Sequence, residues 1–266
     1  MTAAQEAMMQ GKVADLVSQF TVATGIKLVP IPAGTFLMGS PVDEAGRQPN
    51  EGPQTRVTLT KGFFLGATAV TQAQWKALMG SQRYGSHNMG DSLPVDNMPW
   101  DEAMAFCRKL TEHEQAAGRL PPGYVYTLPT EAQWEYACRA GTTGAYPGDL
   151  DAMAWYVKNS DSGGQKYIYT MHPVGTKQPN AWGLYDMNGN SGSWCLDWFG
   201  DYPGGSVTDP SGPASGSRHV VRGGGPFSDA AGCRSASRFS LGLVLEPPAH
   251  GWAVGLRLAL VHTSAN

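Results

Sequence analysis

The stretch LPTEAQWEYACRAG at 128–141 carries the clearest helix start in the chain. Pro129 and Thr130 open it, and Thr130 and Gln133 stand at the N-cap and N3 spacing of a capping box, where each side chain satisfies the other's backbone N–H. Trp134, Ala137 and Cys138 then share one face, so the spacing predicts a helix packed through that face. Two further helices precede it. Thr71 caps a short one carrying Trp75, Leu78 and Met79, and residues 101–114, after Pro99, space Ala103, Phe106, Cys107 and Leu110 on one apolar face.

Outside the helices the signals are short strands and turns. KLVPIPAGTFLMGS at 27–40 reads as short strands broken by Pro30, Pro32 and Gly34, and 41–55 as a polar, turn-rich loop. Residues 56–59 and 62–66 look like a strand pair. From 140 to 218 turns dominate, punctuated by short apolar runs. Residues 219–222, 233–239 and 254–260 are the expected closing strands. Ala4, Met8, Val13, Leu16 and Phe20 fall at loosely helical spacing, so residues 1–26 read as an N-terminal helix or arm before a single domain at 27–266. No repeat or Ser/Pro-rich linker divides that domain.

Composition agrees with this organisation. Of 266 residues 41% are hydrophobic and only 15% charged, while 34 Gly and 19 Pro imply many turns and much irregular backbone. A net charge of −3 without any basic run argues against nucleic acid as a partner. No apolar run reaches the length of a membrane span, and no secretory leader is evident, which leads us to expect a cytoplasmic chain. Cys107, Cys138, Cys195 and Cys233 lie far apart, without metal-ligand spacing, and are expected to be buried thiols.

Seven phrases together carry a resemblance: IPAGTFLMGS at 31–40, TAVTQAQW at 68–75, LPTEAQWEYACRAG at 128–141, PVGTKQPNAWGLYDMNGN at 173–190, VVRGGG at 220–225, CRSASR at 233–238 and VGLRLAL at 254–260. In this order and spacing they resemble the formylglycine-generating-enzyme-like, or sulfatase-modifying-factor, family over about residues 28–261. The resemblance implies an α+β, C-type-lectin-like fold with small twisted antiparallel sheets, two main helices and many loops. In GLYDMNGN, Gly183 and Gly189 permit positive φ, while Asp186, Asn188 and Asn190 can bond nearby main chain. Trp134, Trp155, Trp182, Trp194 and Trp198 are expected to fill the core.

The resemblance also raises the question of catalysis. Oxidising members use a cysteine pair five residues apart, downstream of the strand matching VVRGGG, to bind copper and activate oxygen. Counting forward from Gly223 and Gly224, Cys233 falls near the second position and Ser228 takes the first; counting back from RSASR, neither position is cysteine. Either way the pair is absent, and a single thiol does not supply the two sulfurs that copper prefers. Another branch, the sulfoxide synthases, holds iron through three histidines in an additional N-terminal domain; no histidine occurs in residues 1–25. His87, His113, His172, His219, His250 and His262 show no ligand spacing. Ser193 stands where related chains carry a calcium-binding Glu, leaving Asn159, Ser160 and Asp161 as candidates for a structural calcium site. The expectation is a non-enzyme without a cofactor.

The residues between the family phrases near the C-terminus depart from the usual text in clusters, and this arrangement resembles the variable proteins of diversity-generating retroelements. There, a repeat in the last strands is rewritten to many residue types. On that resemblance the region 222–260 is a diversifiable surface whose ligand-binding residues are Phe227, Ser228, Asp229, Gly232, Ser237, Phe239, Ser240, Leu241, Gly251, Trp252 and Ala253. Aromatic anchors among small polar residues suit protein recognition. The apolar run Leu243, Val244 and Leu245 is expected to be buried. A monomer that binds an unidentified protein or other macromolecule is the leading reading. A thiol oxidase using Cys233 and a structural partner domain are the alternatives.

Overall fold

The computed structural model describes residues 24–81, 89–160, 170–242 and 253–263. Residues 1–23 of the expected arm, His87, Asp161, the run 243–245, His250, Gly251 and Trp252 lie outside the described residues. Strands β1 (Leu28–Ile31), β2 (Gly34–Met38), β3 (Thr55–Leu59) and β4 (Phe63–Gly66) lead into helices α1 (Gln72–Met79) and α2 (Trp100–Ala116). Strand β5 (Tyr124–Thr127), helix α3 (Glu131–Arg139) and the one-turn helix α4 (Leu150–Met153) follow. The remaining strands are β6 (Gly192–Trp198), β7 (Ser206–Thr208), β8 (Arg218–Arg222), β9 (Arg238–Gly242), β10 (Val254–Gly255) and β11 (Ala259–His262).

They form three small sheets in the orders β1-β4-β11-β5, β10-β6-β8-β9 and β2-β3-β7. Pairing is antiparallel except between β10 and β6 and between β3 and β7. The architecture is α+β. One apolar cluster packs α1 and α2 against β5 and against Trp194, Val221 and Val254 of the β10-β6-β8-β9 sheet, and a second packs α3 against β2, β3 and β4.

Local chemistry sets the helix starts. The Gln133 N–H donates to Thr130 Oγ1 at 3.1 Å and the Thr130 N–H donates to Gln133 Oε1 at 3.0 Å. Thr71 and Gln74 repeat this reciprocal arrangement at α1. On α2 the expected face of Ala103, Phe106, Cys107 and Leu110 is buried. All four cysteines are free and buried.

Several strand readings need correction. Strands β3 and β4 do not pair: β3 lies between β2 and β7, and β4 between β1 and β11. Their burial explains the separation, because β3 alternates and keeps a solvent side whereas every residue of β4 is buried, as in a central strand. Residues 233–239 are not a strand. A 3-10 turn spans Ala231–Cys233, the Ser235 N–H donates to the Ala145 carbonyl, and pairing with β8 begins only at Arg238. The central strand β6 went unread because its first four residues are all buried, leaving no period of two to see.

The GLYDMNGN turn also differs in detail. Gly183 has φ 82°, but the other left-handed residues there are Asp186 and Asn190, at φ 55° and 66°. Gly189 is needed instead because Trp155 backbone occupies the place a Cβ would take. The three polar side chains bond main chain as expected: Gly175 N–H donates to Asp186, Asn188 donates to the Cys233 carbonyl, and His172 N–H donates to Asn190. Trp134 and Trp194 are fully buried, whereas Trp155, Trp182 and Trp198 are only partly so.

Candidate binding surface

The segment after β8 is anchored by three buried arginines. Arg222 donates to the Glu135 carboxylate, to Glu131 Oε1 at 3.1 Å and to the Ser235 carbonyl at 2.8 Å. Arg234 reaches back to Glu44 and Glu51, both at 2.7 Å, and to the Gly46 carbonyl. Although burial opposes it, the Arg234 guanidinium holds the Glu51 carboxyl below its usual value. Arg238 grips Glu131 and also donates to the Asn50 and Gly200 carbonyls. Buried charges persist only when paired in this way. The inward side of the segment is therefore fixed to α3 and to the 44–51 loop.

Its outward side is a set of short turns. Gly223 and Gly224 take φ 98° and 67°, which L side chains rarely adopt, and carry the chain away from β8. The Gly225 N–H donates to Ser228 Oγ at 2.9 Å, and the Gly232 N–H donates to Asp229 Oδ1 at 2.8 Å. These side chains hold the loop that carries them.

Six of the expected ligand-binding residues, Phe227, Ser228, Asp229, Gly232, Phe239 and Ala253, line one open pocket of about 230 Å³. They come from three separate stretches of sequence, joined by the β6–β8–β9 ladder and by the parallel pairing of β10 with β6. Asp229 is exposed, Phe227, Ser228, Gly232 and Phe239 are partly exposed, and Ala253 contributes to the wall although it is 2% exposed. Val221, Val254, Gly192, Gly224 and Gly225 complete the lining and were not anticipated. The strand-end valines could have been read from apolar periodicity; the glycines could not.

Other expected site residues fall elsewhere. Ser237 is 3% exposed and belongs to the interior, because it sits in the turn between buried Arg234 and Arg238, where its N–H donates to the Arg234 carbonyl. Ser240 and Leu241 are partly exposed but do not line the pocket. Successive strand side chains point to opposite faces, so Ser240 faces away from Phe239, while Phe239 and Leu241 both pack against the core cluster and only Phe239 also walls the pocket.

Ser228 and Cys233 both approach Gly224. A Cβ on Gly224 would lie 3.0 Å from Cys233 Sγ and 3.2 Å from Ser228 Oγ, so hydroxyl and thiol flank the same backbone atom. The thiol is fully buried, and burial, with the Asp229 charge adding to it, pushes Cys233 up to about 12. One protonated sulfur beside a hydroxyl does not fit a copper site, which needs soft thiolate donors. Of the calcium candidates, Asn159 Oδ1 accepts the Tyr156 N–H and its amide donates to the Ala154 carbonyl, whereas the buried Ser160 Oγ has no hydrogen-bond partner among the described residues. Among the described residues no three His, Cys, Asp or Glu side chains gather as a metal site. His219 is instead stacked between Trp100 and Trp198, with ring centroids 3.9 and 3.8 Å away. Among the described residues no helix is long and apolar enough to cross a membrane.

Fold and surface together define a loop-rich α+β domain of the C-type-lectin-like class. The chain belongs to the sulfatase-modifying factor enzyme 1-like domain family, whose model matches residues 13–260. It is 29% identical over 259 residues to the formylglycine-generating enzyme of Mus musculus, covering 74% of this chain and 65% of that protein. The Streptomyces coelicolor formylglycine-generating enzyme is 28% identical over 257 residues, covering 74% and 77%. The chain thus spans less than two thirds of the mouse protein's length. Among solved structures, Treponema denticola variable protein 1 superposes with a TM-score of 0.73 at 29% identity, covering 88% of this chain and 94% of that one. PvdO from Pseudomonas aeruginosa shares the fold at 24% identity, with a TM-score of 0.72 over 90% and 96% of the two chains.

Proposed function

We propose that this chain is a non-catalytic ligand-binding domain that presents a diversifiable C-terminal surface, residues 222–260, to a protein ligand. The observation that carries the reading is the convergence of Phe227, Ser228, Asp229, Gly232, Phe239 and Ala253 on one pocket, while the buried Arg222, Arg234 and Arg238 fix the backbone beneath them. Such a division lets outward residues change without disturbing the frame. The likeness to a protein named as variable supports it.

The rival is the oxidase chemistry of the formylglycine-generating relatives. It is disfavoured by the buried, protonated Cys233 and by Ser228 in the place of a second thiol. The deciding experiment supplies copper and a cysteine-containing peptide and follows oxygen consumption and aldehyde formation. No turnover is expected. Turnover abolished by Cys233→Ser would overturn the binding reading. A near-copy of the coding segment for 222–260, differing at adenines and lying beside a reverse-transcriptase gene, would support the diversifiable surface.

A further inference from the structure

We infer that the pocket selects an aromatic side chain carried next to a lysine or arginine on the protein ligand, an inference that rests on the binding reading above. The volume sets the guest. An apolar cavity of about 150 Å³ takes benzene, and this pocket, at about 230 Å³, has room for one larger aromatic side chain. Glycines make that room. A Cβ on Gly225 would stand 3.5 Å from Phe227 Cζ, and one on Gly232 would stand 3.6 Å from Phe239 Cζ. Both phenyl rings therefore reach toward space that a missing side chain leaves open, and an aromatic guest gains ring-to-ring contact with them beyond simple area burial.

The polar groups narrow the choice further. Ser228 Oγ accepts from the Gly225 N–H and Asp229 Oδ1 from the Gly232 N–H, so part of the acceptor capacity of both side chains is spent on holding their own loop. Among the described residues no lysine or arginine lines the pocket, which argues against phosphate or carboxylate guests. Among the described lining residues Asp229 is the charged one, and it is exposed. A cation beside the bound ring complements it at the rim.

The test titrates the full chain with two blocked dipeptides, N-acetyl-tryptophanyl-lysine amide and N-acetyl-tryptophanyl-glutamate amide, followed by NMR. The lysine peptide should bind about two- to fivefold more tightly at low salt, the range of an exposed ion pair. Asp229→Asn should bring that ratio close to one. Gly225→Val should weaken both peptides about tenfold or more by filling the pocket. Gly225→Ala guards against misfolding, because its methyl meets Phe227 and Ala253 at ordinary contact distances of 3.5 and 3.8 Å; it should weaken both peptides less. Equal affinities for the two peptides, binding unchanged by both Gly225 variants, or no binding of the lysine peptide would overturn the inference. Each of those results leaves the non-catalytic reading intact, since only turnover in the copper assay removes it.

Discussion

Arg238 meets Glu131 at two points, Nε to Oε1 at 2.8 Å and Nη2 to Oε2 at 2.7 Å, joining the first residue of β9 to the first residue of α3. Both side chains are buried. Phe239, which walls the pocket, is the next residue, so this pair sets the position of part of the surface. Arg238→Met should cost about 3–5 kcal/mol, because it leaves a buried carboxylate with one partner fewer. Urea unfolding measures this, and a loss near that of a surface change, about 0.5 kcal/mol, would mean that the pair does not anchor β9.

Two tryptophans read alike in sequence separate in the structure. Trp134 is 1% exposed, lies beneath the Arg222 guanidinium at 5.2 Å and borders Gly223. Trp182 is only partly buried and meets Tyr136 edge-on at 4.9 Å. Trp134→Ala should therefore cost about 3–5 kcal/mol and Trp182→Ala about 1–2 kcal/mol. Equal losses in thermal or urea unfolding would contradict this division.

The outward and inward positions of the C-terminal segment should differ in tolerance. Asp229→Asn is expected to change stability by no more than about 0.5 kcal/mol, and Phe227→Ser by about 1 kcal/mol. Ser237→Phe forces a ring into a filled interior and should cost about 1–3 kcal/mol or more. Comparing midpoints for the three variants checks the idea that only part of 222–260 is free to vary. A Ser237→Phe chain as stable as the parent would show that the interior assignment is wrong.

How much of this was legible follows from the range of each interaction. The caps at Thr130 and Thr71 are settled within three residues and could be read directly. The aromatics Phe227 and Phe239 stood out by their chemistry, and they do share a pocket, although Phe239 also packs against the core. The path of 233–237 was not legible, because it depends on Arg234 reaching Glu51, 183 residues earlier in the chain. The pocket floor was hidden for a similar reason: Gly192 approaches Val221 and Val254 only through the registers of β6 with β8 and with β10. Ser240 was placed beside Phe239 by composition, and strand alternation separates them.

Asp197 ties the frame to pH. It is 4% exposed on β6, and the Glu131 N–H donates to its Oδ2 at 2.9 Å. Burial first, and the neighbouring Glu131 charge second, push its carboxyl from 3.8 to about 7. Between about pH 4 and pH 7 the folded chain therefore holds a proton that the unfolded chain has released. The contribution of this group to stability falls as pH rises through that window and stays low above it. Asp197→Asn keeps a carbonyl oxygen for the Glu131 N–H but does not titrate. The stability of the variant relative to the parent should rise between about pH 4.5 and pH 8, by roughly 1.4 kcal/mol for each unit of the shift. Urea unfolding of both chains across that range measures the difference. A difference that stays constant with pH would show that Asp197 ionises like an exposed carboxylate and that burial on β6 does not hold its proton.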